Sequence, residues 1–178
     1  MNERTDKERT VDARRPIIGV IGSAEGGPRE TAYALGKMIA EKGCILLTGG
    51  GPGIMEAASK GAHEAGGLVI GILPNERSFL RKGYPNKYVD VAIYTGMSDA
   101  RNAINAKTSD VVIALSGRAG TLSEVALAIK SGTPVVGLNC PAIDIDTCGL
   151  FVRVSSVEEA MKEVERYLES RKANSNRN

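Results

Sequence analysis

The sequence is poor in the residues that mark metal centres, hydrolytic triads and disulfide-stabilised folds. It has no tryptophan, two phenylalanines, one histidine and three cysteines among 178 residues. One histidine and scattered cysteines give no zinc constellation, and no serine has the base partner that a triad needs. The cysteines lack C-x-x-C spacing and are odd in number, so we expect free thiols. Cys44 is expected in the core, whereas Cys140 and Cys148 leave open a contact across a short loop.

Long hydrophobic runs are also absent. No segment approaches the ~18 apolar residues of a membrane-spanning helix, and residues 1–15 lack the apolar stretch of a secretory signal. We therefore expect a cytoplasmic protein with no membrane partner. The net charge is +2, but residues 1–15 and 171–178 together carry four net positive charges, which leaves residues 16–170 near −2. Since a nucleic-acid surface needs a basic stripe on the folded body, no nucleic-acid partner is expected.

Glycine is the residue in excess: the chain has 21 glycines, or about 12% against a usual ~7%. Between the glycines, short β-branched runs alternate with longer amphipathic stretches. The apolar runs are continuous, as is typical of parallel strands covered on both faces. The predicted fold class is α/β, a single Rossmann-like doubly wound parallel sheet of six to seven strands with helices on both faces.

The predicted domain covers residues 16–170, and residues 1–15 and 171–178 are expected to be disordered tails. Within the domain, strands are predicted at 16–22, 44–48, 68–73, 89–94, 110–115, 134–138 and 150–154. Helices are predicted at 28–42, 53–65, 98–107, 120–131 and 156–170.

Three glycine groups, at 22–28, 49–53 and 117–121, each fall where a strand ends and a helix begins. Anions bind at this edge of an open α/β sheet, although short turns favour glycine there in any such fold. Three coincident loops favour binding of a phosphorylated small molecule. Neither a dinucleotide fingerprint nor a P-loop is present, so kinase and NTPase functions lack support. The candidate phosphate-binding residues are Gly22, Ser23, Gly49, Gly50, Gly51, Gly53, Met97, Arg101, Gly117, Arg118, Gly120 and Thr121.

Two charged residues near these loops have both a structural and a functional interpretation. Thr121 and Glu124 match the T-x-x-E capping box, which explains them without any function. Alternatively, Glu124 orients water or a ribose hydroxyl, or stabilises positive charge on a sugar. Arg101 lies in the first turn of a helix that Ser98 or Asp99 is expected to cap. Its charge opposes the helix dipole, so it needs a bound phosphate or a pairing with Asp99 or Glu124.

The segment 74–88 interrupts the strand–helix rhythm. It holds four basic residues and three of the seven aromatic residues. Two interpretations remain open: a lid over a ligand, or a surface excursion docked by its aromatic side chains.

Five segments of the domain form a recognisable set. They are GVIGS at 19–23, LLTGGGPGIMEAASKGAHEAGG at 46–67, VIGILP at 69–74, TGMSDARN at 95–102 and SGRAGTLSE at 116–124. Taken together, these segments resemble the LOG-like Rossmann superfamily, which also carries an old lysine decarboxylase label. The resemblance is closest to a small bacterial and archaeal branch that includes molybdenum-cofactor carrier proteins.

This resemblance implies two alternative functions. LOG enzymes cleave the N-glycosidic bond of nucleoside 5′-monophosphates to a base and ribose 5-phosphate, using a P-G-G-x-G-T-x-x-E loop and an upstream arginine. By match to this pattern the catalytic candidates are Arg101 and Glu124. Three residues depart from the pattern and count against catalysis: Ser116 for the proline, Arg118 for the second glycine and Asn102 for the lysine after the arginine. No lysine is marked as a pyridoxal-phosphate anchor, so decarboxylation is not supported.

The carrier branch implies that the same loops bind a pterin phosphate without chemistry. The expected ligand is therefore the molybdenum cofactor or a nucleoside monophosphate, with no cofactor required and no metal site. Carrier-like binding is the first hypothesis, and phosphoribohydrolase activity is the alternative. The helix TLSEVALAI is apolar on more faces than one sheet contact requires, so a homo-oligomer, dimer or tetramer, is also expected.

Overall fold

The computed structural model describes residues 14–79, 81–140, 143–144 and 147–175, and most of its strands are followed by a helix. The strands are β1 (Ile17–Ile21), β2 (Ile45–Thr48), β3 (Val69–Leu73), β4 (Val91–Tyr94), β5 (Val111–Ala114), β6 (Val135–Leu138) and β7 (Phe151–Val154). The helices are α1 (Arg29–Glu41), α2 (Ile54–Glu64), α3 (Asn102–Thr108), α4 (Ala119–Lys130) and α5 (Val157–Ser175).

All seven strands pair in parallel in one sheet, in the order β4-β3-β2-β1-β5-β6-β7. The predicted α/β class and strand number are confirmed. β1 pairs with both β2 and β5, so the chain reverses its direction of winding at β1. Ligands bind at such a switch point, outside the carboxyl ends of the strands.

Side chains alternate between the two faces of the sheet, and each face has its own core. Val20 of β1 belongs to the cluster packed by α1, α2 and α5. Ile21, the next residue, belongs to the cluster packed by α3 and α4. The helices α1 and α2 pack closely because a Cβ at Gly36 would lie 2.8 Å from the backbone carbon of Ala58. Gly36 therefore serves helix packing rather than a ligand loop.

The helix predicted at 98–107 differs at its start. Residues Ser98–Arg101 form a 3-10 turn, and α3 follows from Asn102. Ser98 has a φ of 49° and lies inside the turn, and neither Ser98 nor Asp99 caps it. The cap prediction is wrong because the turn already begins at Ser98, so that Met97 is its N-cap residue, and no side chain caps it.

The capping box predicted at Thr121 and Glu124 is also wrong. The helix α4 begins at Ala119, so Arg118 is its N-cap and Thr121 is its third residue. Gly117 is the physical reason, because the Thr121 side chain fills the space that a Cβ at Gly117 would occupy. The helix can then start two residues before the predicted cap.

At both ends the described chain extends into the predicted tails. α5 continues to Ser175, past the predicted boundary at residue 170. Arg14 and Arg171 both donate hydrogen bonds to Asp110, at the start of β5. Residues 1–13 and 176–178, where we also predicted disorder, lie outside the described residues.

Cys44 and Cys140 are buried and Cys148 is exposed, and all three are in the thiol form, as predicted. Cys44 belongs to the core beneath α1 and α2. Across the described ranges, no helix combines the length and hydropathy needed to cross a membrane.

Candidate functional site

The three glycine loops meet at the carboxyl edge of the sheet through the backbone of Ser23. The Ser23 N–H donates to the carbonyl of Ser116, 3.0 Å away in the third loop. The Ser23 carbonyl accepts from the N–H of Ile54, also at 3.0 Å, at the start of α2 after the second loop. Because both contacts use main-chain atoms, the first loop joins the other two independently of the side chain at residue 23.

A cavity of about 250 Å³ lies where these loops meet. Six predicted glycine-loop residues line it together with Arg101 and Glu124, whereas Gly50, Gly51, Gly53, Met97 and Gly117 do not. The lining residues are Ile21, Gly22, Ser23, Ala24, Glu25, Gly49, Met55, Tyr84, Asp99, Arg101, Asn102, Arg118, Gly120, Thr121 and Glu124.

The second glycine loop makes room for its neighbours. A Cβ at Gly49 would lie 2.8 Å from Cζ of Arg101, so the bare backbone lets the guanidinium approach. A Cβ at Gly53 would lie 2.5 Å from the Ser23 carbonyl oxygen, and its φ of 70° also favours glycine. These glycines therefore shape the cavity even where they do not line it.

Arg101 is the most unusual residue of the site, because it is only 9% exposed and two of its guanidinium nitrogens lack partners among the described residues. Its Nε and Nη1 atoms have no hydrogen bond within the described part of the chain. Nor is it ion-paired there with Asp99 or Glu124, the two partners that the sequence left open. Burying a cation without hydrogen-bond partners costs free energy, so an anion bound at the cavity wall would stabilise Arg101.

The amino end of α4 faces the same cavity. The first N–H groups of a helix have no partner within the helix, and here no side chain caps them and no acidic residue lies in the first turn. Gly120 lies in this turn with no atom within 4 Å of where its Cβ would be. Arg118, the N-cap residue, is exposed and also lines the cavity. Because Arg118 is exposed, its bulk does not disturb the close packing at Gly117, and this departure from the hydrolase pattern leaves the loop intact.

Glu124 is a buried carboxyl group on the cavity wall, 8% exposed. Its Oε1 accepts a hydrogen bond of 2.7 Å from Nδ2 of Asn105. Burial raises the pKa of Glu124, and the Asn105 hydrogen bond and the charge of Arg101 counteract part of that rise. A raised pKa favours the protonated carboxyl group, which is the form that can act as a general acid.

Asn105 and Tyr84 are among the residues of the site that were missed in the sequence. Asn105 lies four residues after Arg101 in the same helical stretch, and this spacing could have indicated a shared face. Tyr84 lines the cavity from the segment 74–88, so at least one aromatic side chain of this segment docks against the site. Phe79 of the same segment is exposed and does not contribute to the docking.

Similar proteins of known structure share this arrangement of strands and helices. The molybdenum cofactor binding protein of Rippkaea orientalis is 42% identical, with a TM-score of 0.77 over 86% of this chain and 97% of that one. The molybdenum cofactor carrier protein of Chlamydomonas reinhardtii is 38% identical, with a TM-score of 0.75 over 87% of this chain and 99% of that one.

Sequence comparison leads to hydrolases of the same superfamily. The cytokinin riboside 5′-monophosphate phosphoribohydrolase LOG of Oryza sativa subsp. japonica is 36% identical over 116 residues, which are 62% of this chain and 47% of that protein. The chain spans about half the length of the LOG relatives it matches.

A family model fits nearly the whole described chain. The SLOG cluster4 family matches residues 15–172, which include all seven strands, the three glycine loops and the cavity. The resemblance to LOG-like proteins found in the sequence is thereby confirmed. The chain belongs to the SLOG cluster4 family.

Proposed function

We propose that this protein binds a phosphorylated nucleotide or pterin in the cavity and retains it without chemical conversion. The observation that carries the proposal is the buried guanidinium of Arg101, whose Nε and Nη1 lack partners among the described residues. A phosphate accepts paired hydrogen bonds from a guanidinium and also binds at the amino end of a helix. The uncapped end of α4 lies on the same cavity, so both donors are available to one anion.

The pterin is the ligand that the structural relatives favour. Two similar proteins are described as a molybdenum cofactor binding protein and a molybdenum cofactor carrier protein. The molybdenum cofactor would here be cargo held by its phosphate, with the chain requiring no cofactor of its own. A nucleoside monophosphate has the same phosphate group, so Arg101 and the amino end of α4 do not by themselves discriminate between a nucleotide and a pterin.

Mass spectrometry of the natively purified protein tests the proposal. We expect a phosphorylated ligand to be retained by the wild type and lost from Arg101→Met. Since this change replaces an unpartnered buried charge with an apolar chain of similar length, the ligand-free variant should be at least as stable as the wild type. Arg29→Met, an exposed arginine of α1 outside the cavity, is the matched control.

The proposal fails if the wild type binds no nucleoside monophosphate and no pterin phosphate by calorimetry. It also fails if Arg101→Met binds as tightly as the wild type. A variant that loses both binding and ligand-free stability would assign Arg101 a structural role instead.

The second candidate is hydrolysis of a nucleoside 5′-monophosphate, and Glu124 is the observation that favours it. Burial raises the pKa of this carboxyl group, so it could protonate the leaving base while Arg101 holds the phosphate. Release of ribose 5-phosphate from a panel of monophosphates, abolished by Glu124→Gln with folding intact, would support the enzyme. No turnover across the panel would refute it.

Self-association is proposed as well. Leu122 on α4 is 46% exposed, and Val91 and Ile93 form an exposed apolar face on the edge strand β4. Covering these side chains would remove apolar area from water. Light scattering coupled to size-exclusion chromatography should give a dimer or tetramer, and a monomer at micromolar concentration would contradict it.

A further inference from the structure

The segment between β3 and β4 is fixed onto the second glycine loop by Asn86. This buried residue donates its backbone N–H to the carbonyl of Gly50 at 2.8 Å and its Nδ2 to the carbonyl of Gly51 at 3.0 Å. Its Oδ1 accepts from the N–H of Tyr88 at 3.1 Å. With all three groups used, the backbone on either side of Asn86 has a defined place beside the cavity.

Tyr84 lies two residues before this anchor, and its ring packs on the bare backbone of Gly51. A Cβ at Gly51 would lie 2.5 Å from Cε1 of the ring, so the ring occupies the space that a side chain would fill. The guanidinium carbon of Arg81 is 5.3 Å from the ring centroid, which is within cation–π range. These contacts hold the ring in place, and it is the one aromatic ring that lines the cavity in the described part of the chain.

The cavity thus presents two different chemistries. Arg101 and the amino end of α4 suit an anion, whereas Tyr84, with Met55 and Ile21 on the wall, suits an apolar or planar group. A ring of a bound ligand can stack on an aromatic side chain whichever heterocycle it belongs to, because every such ring has a π-face.

We propose that Tyr84 is the platform for the planar heterocycle of the ligand, so that the cavity selects a phosphate joined to an aromatic ring over a phosphorylated sugar alone. The proposal rests on the proposed function, because the phosphate held at Arg101 sets where the ring lies. It makes Tyr84 a specificity-determining residue and gives 81–86 a role in recognition. The platform accepts a purine and a pterin alike.

Calorimetry with ring-bearing and ring-free probes tests this platform. The probes are AMP, a pterin carrying a side-chain phosphate, and ribose 5-phosphate, which has the phosphate without the ring. In Tyr84→Leu we expect the ring-bearing probes to bind about tenfold more weakly or worse, while ribose 5-phosphate binds within about twofold of the wild type. Tyr84→Phe keeps the ring and should bind all three like the wild type.

The controls separate the two proposals. Tyr33→Leu removes a tyrosine of α1 outside the cavity and should change no affinity. Arg101→Met should weaken all three probes. The platform is overturned if Tyr84→Leu leaves the ring-bearing probes unchanged, or weakens ribose 5-phosphate equally, while Arg101→Met still acts. If the wild type binds none of the probes, the proposed phosphate site at Arg101 is refuted, and the proposed role of Tyr84 is refuted with it.

Discussion

Replacing Glu124 by glutamine should stabilise the ligand-free protein at neutral pH. The carboxyl is 8% exposed, and burial raises its pKa above that of the unfolded chain, near ~4.3. Between these two pKa values the unfolded chain releases the proton while the folded protein keeps it, so rising pH favours unfolding. Above the folded pKa the penalty is constant, and it amounts to about 1.4 kcal/mol for each unit of pKa rise.

The substituted glutamine would keep the shape of the side chain and the acceptor for Asn105 Nδ2, but it would have no charge to bury. The variant should therefore match the wild type below about pH 4 and gain on it as the pH rises. For a chain of this size, each kcal/mol gained raises the Tm by about 2–4 °C. The attraction between Arg101 and an ionised Glu124 offsets part of the gain.

Urea unfolding followed by circular dichroism at a series of pH values from about 4 to 8 measures this difference. Glu25→Gln is the control, because Glu25 is an exposed carboxylate on the rim of the same cavity. If Glu124→Gln is no more stable than the wild type at neutral pH, or if its advantage does not grow with pH, the buried carboxyl carries no such penalty and the reasoning is refuted.

Three further changes test the surroundings of the cavity. Gly120→Ala should leave stability unchanged or raise it by up to ~1 kcal/mol, since its Cβ meets no atom within 4 Å, yet the methyl at the amino end of α4 should weaken binding of AMP in calorimetry. Gly51→Val should displace the Tyr84 ring and weaken ring-bearing ligands more than ribose 5-phosphate, with a loss of Tm as well; unchanged affinity for AMP would contradict the packing seen here. Asp110→Asn should cost about 1–3 kcal/mol at neutral pH in urea unfolding, because Asp110 accepts from both Arg14 and Arg171. Burial raises the pKa of Asp110, but the hydrogen bond from Arg14 helps to lower it overall. The cost of Asp110→Asn should therefore be present above about pH 4 and vanish as the pH falls through the lowered pKa. A cost that persists at about pH 2 would contradict this prediction.

The sheet could be predicted because each strand corresponds to one short, continuous segment of the sequence. Val111–Ala114 and Val135–Leu138 are continuous runs without a polar side chain, and that pattern is typical of buried parallel strands. The order of the strands places β1 between β2 and β5, and a repeated βα rhythm with right-handed crossovers leaves few alternatives.

The site could be predicted only in part, because its key contacts join residues distant in sequence. The glycine loops could be recognised as turns. The reason for glycine at position 49 could not, because the space that it leaves is filled by Arg101, which lies beyond two further strands. The capping motif at Thr121 was misleading because the missing Cβ of Gly117 lets the helix begin earlier. Likewise, the sequence around Asn105 indicates only a helix, because its contact with Glu124 depends on the packing of α3 against α4.

The backbone contacts of Ser23 allow this scaffold to change its chemistry without changing its shape. The carbonyl of Ser116 accepts from Ser23, and any residue at position 116 offers that carbonyl, including the proline of the hydrolase pattern. A substitution at the exposed N-cap Arg118, which lines the cavity, therefore alters what the cavity presents while the loops remain joined. The main-chain hydrogen bonds of Ser23 thus fix the positions of the three loops, whichever side chains face the cavity.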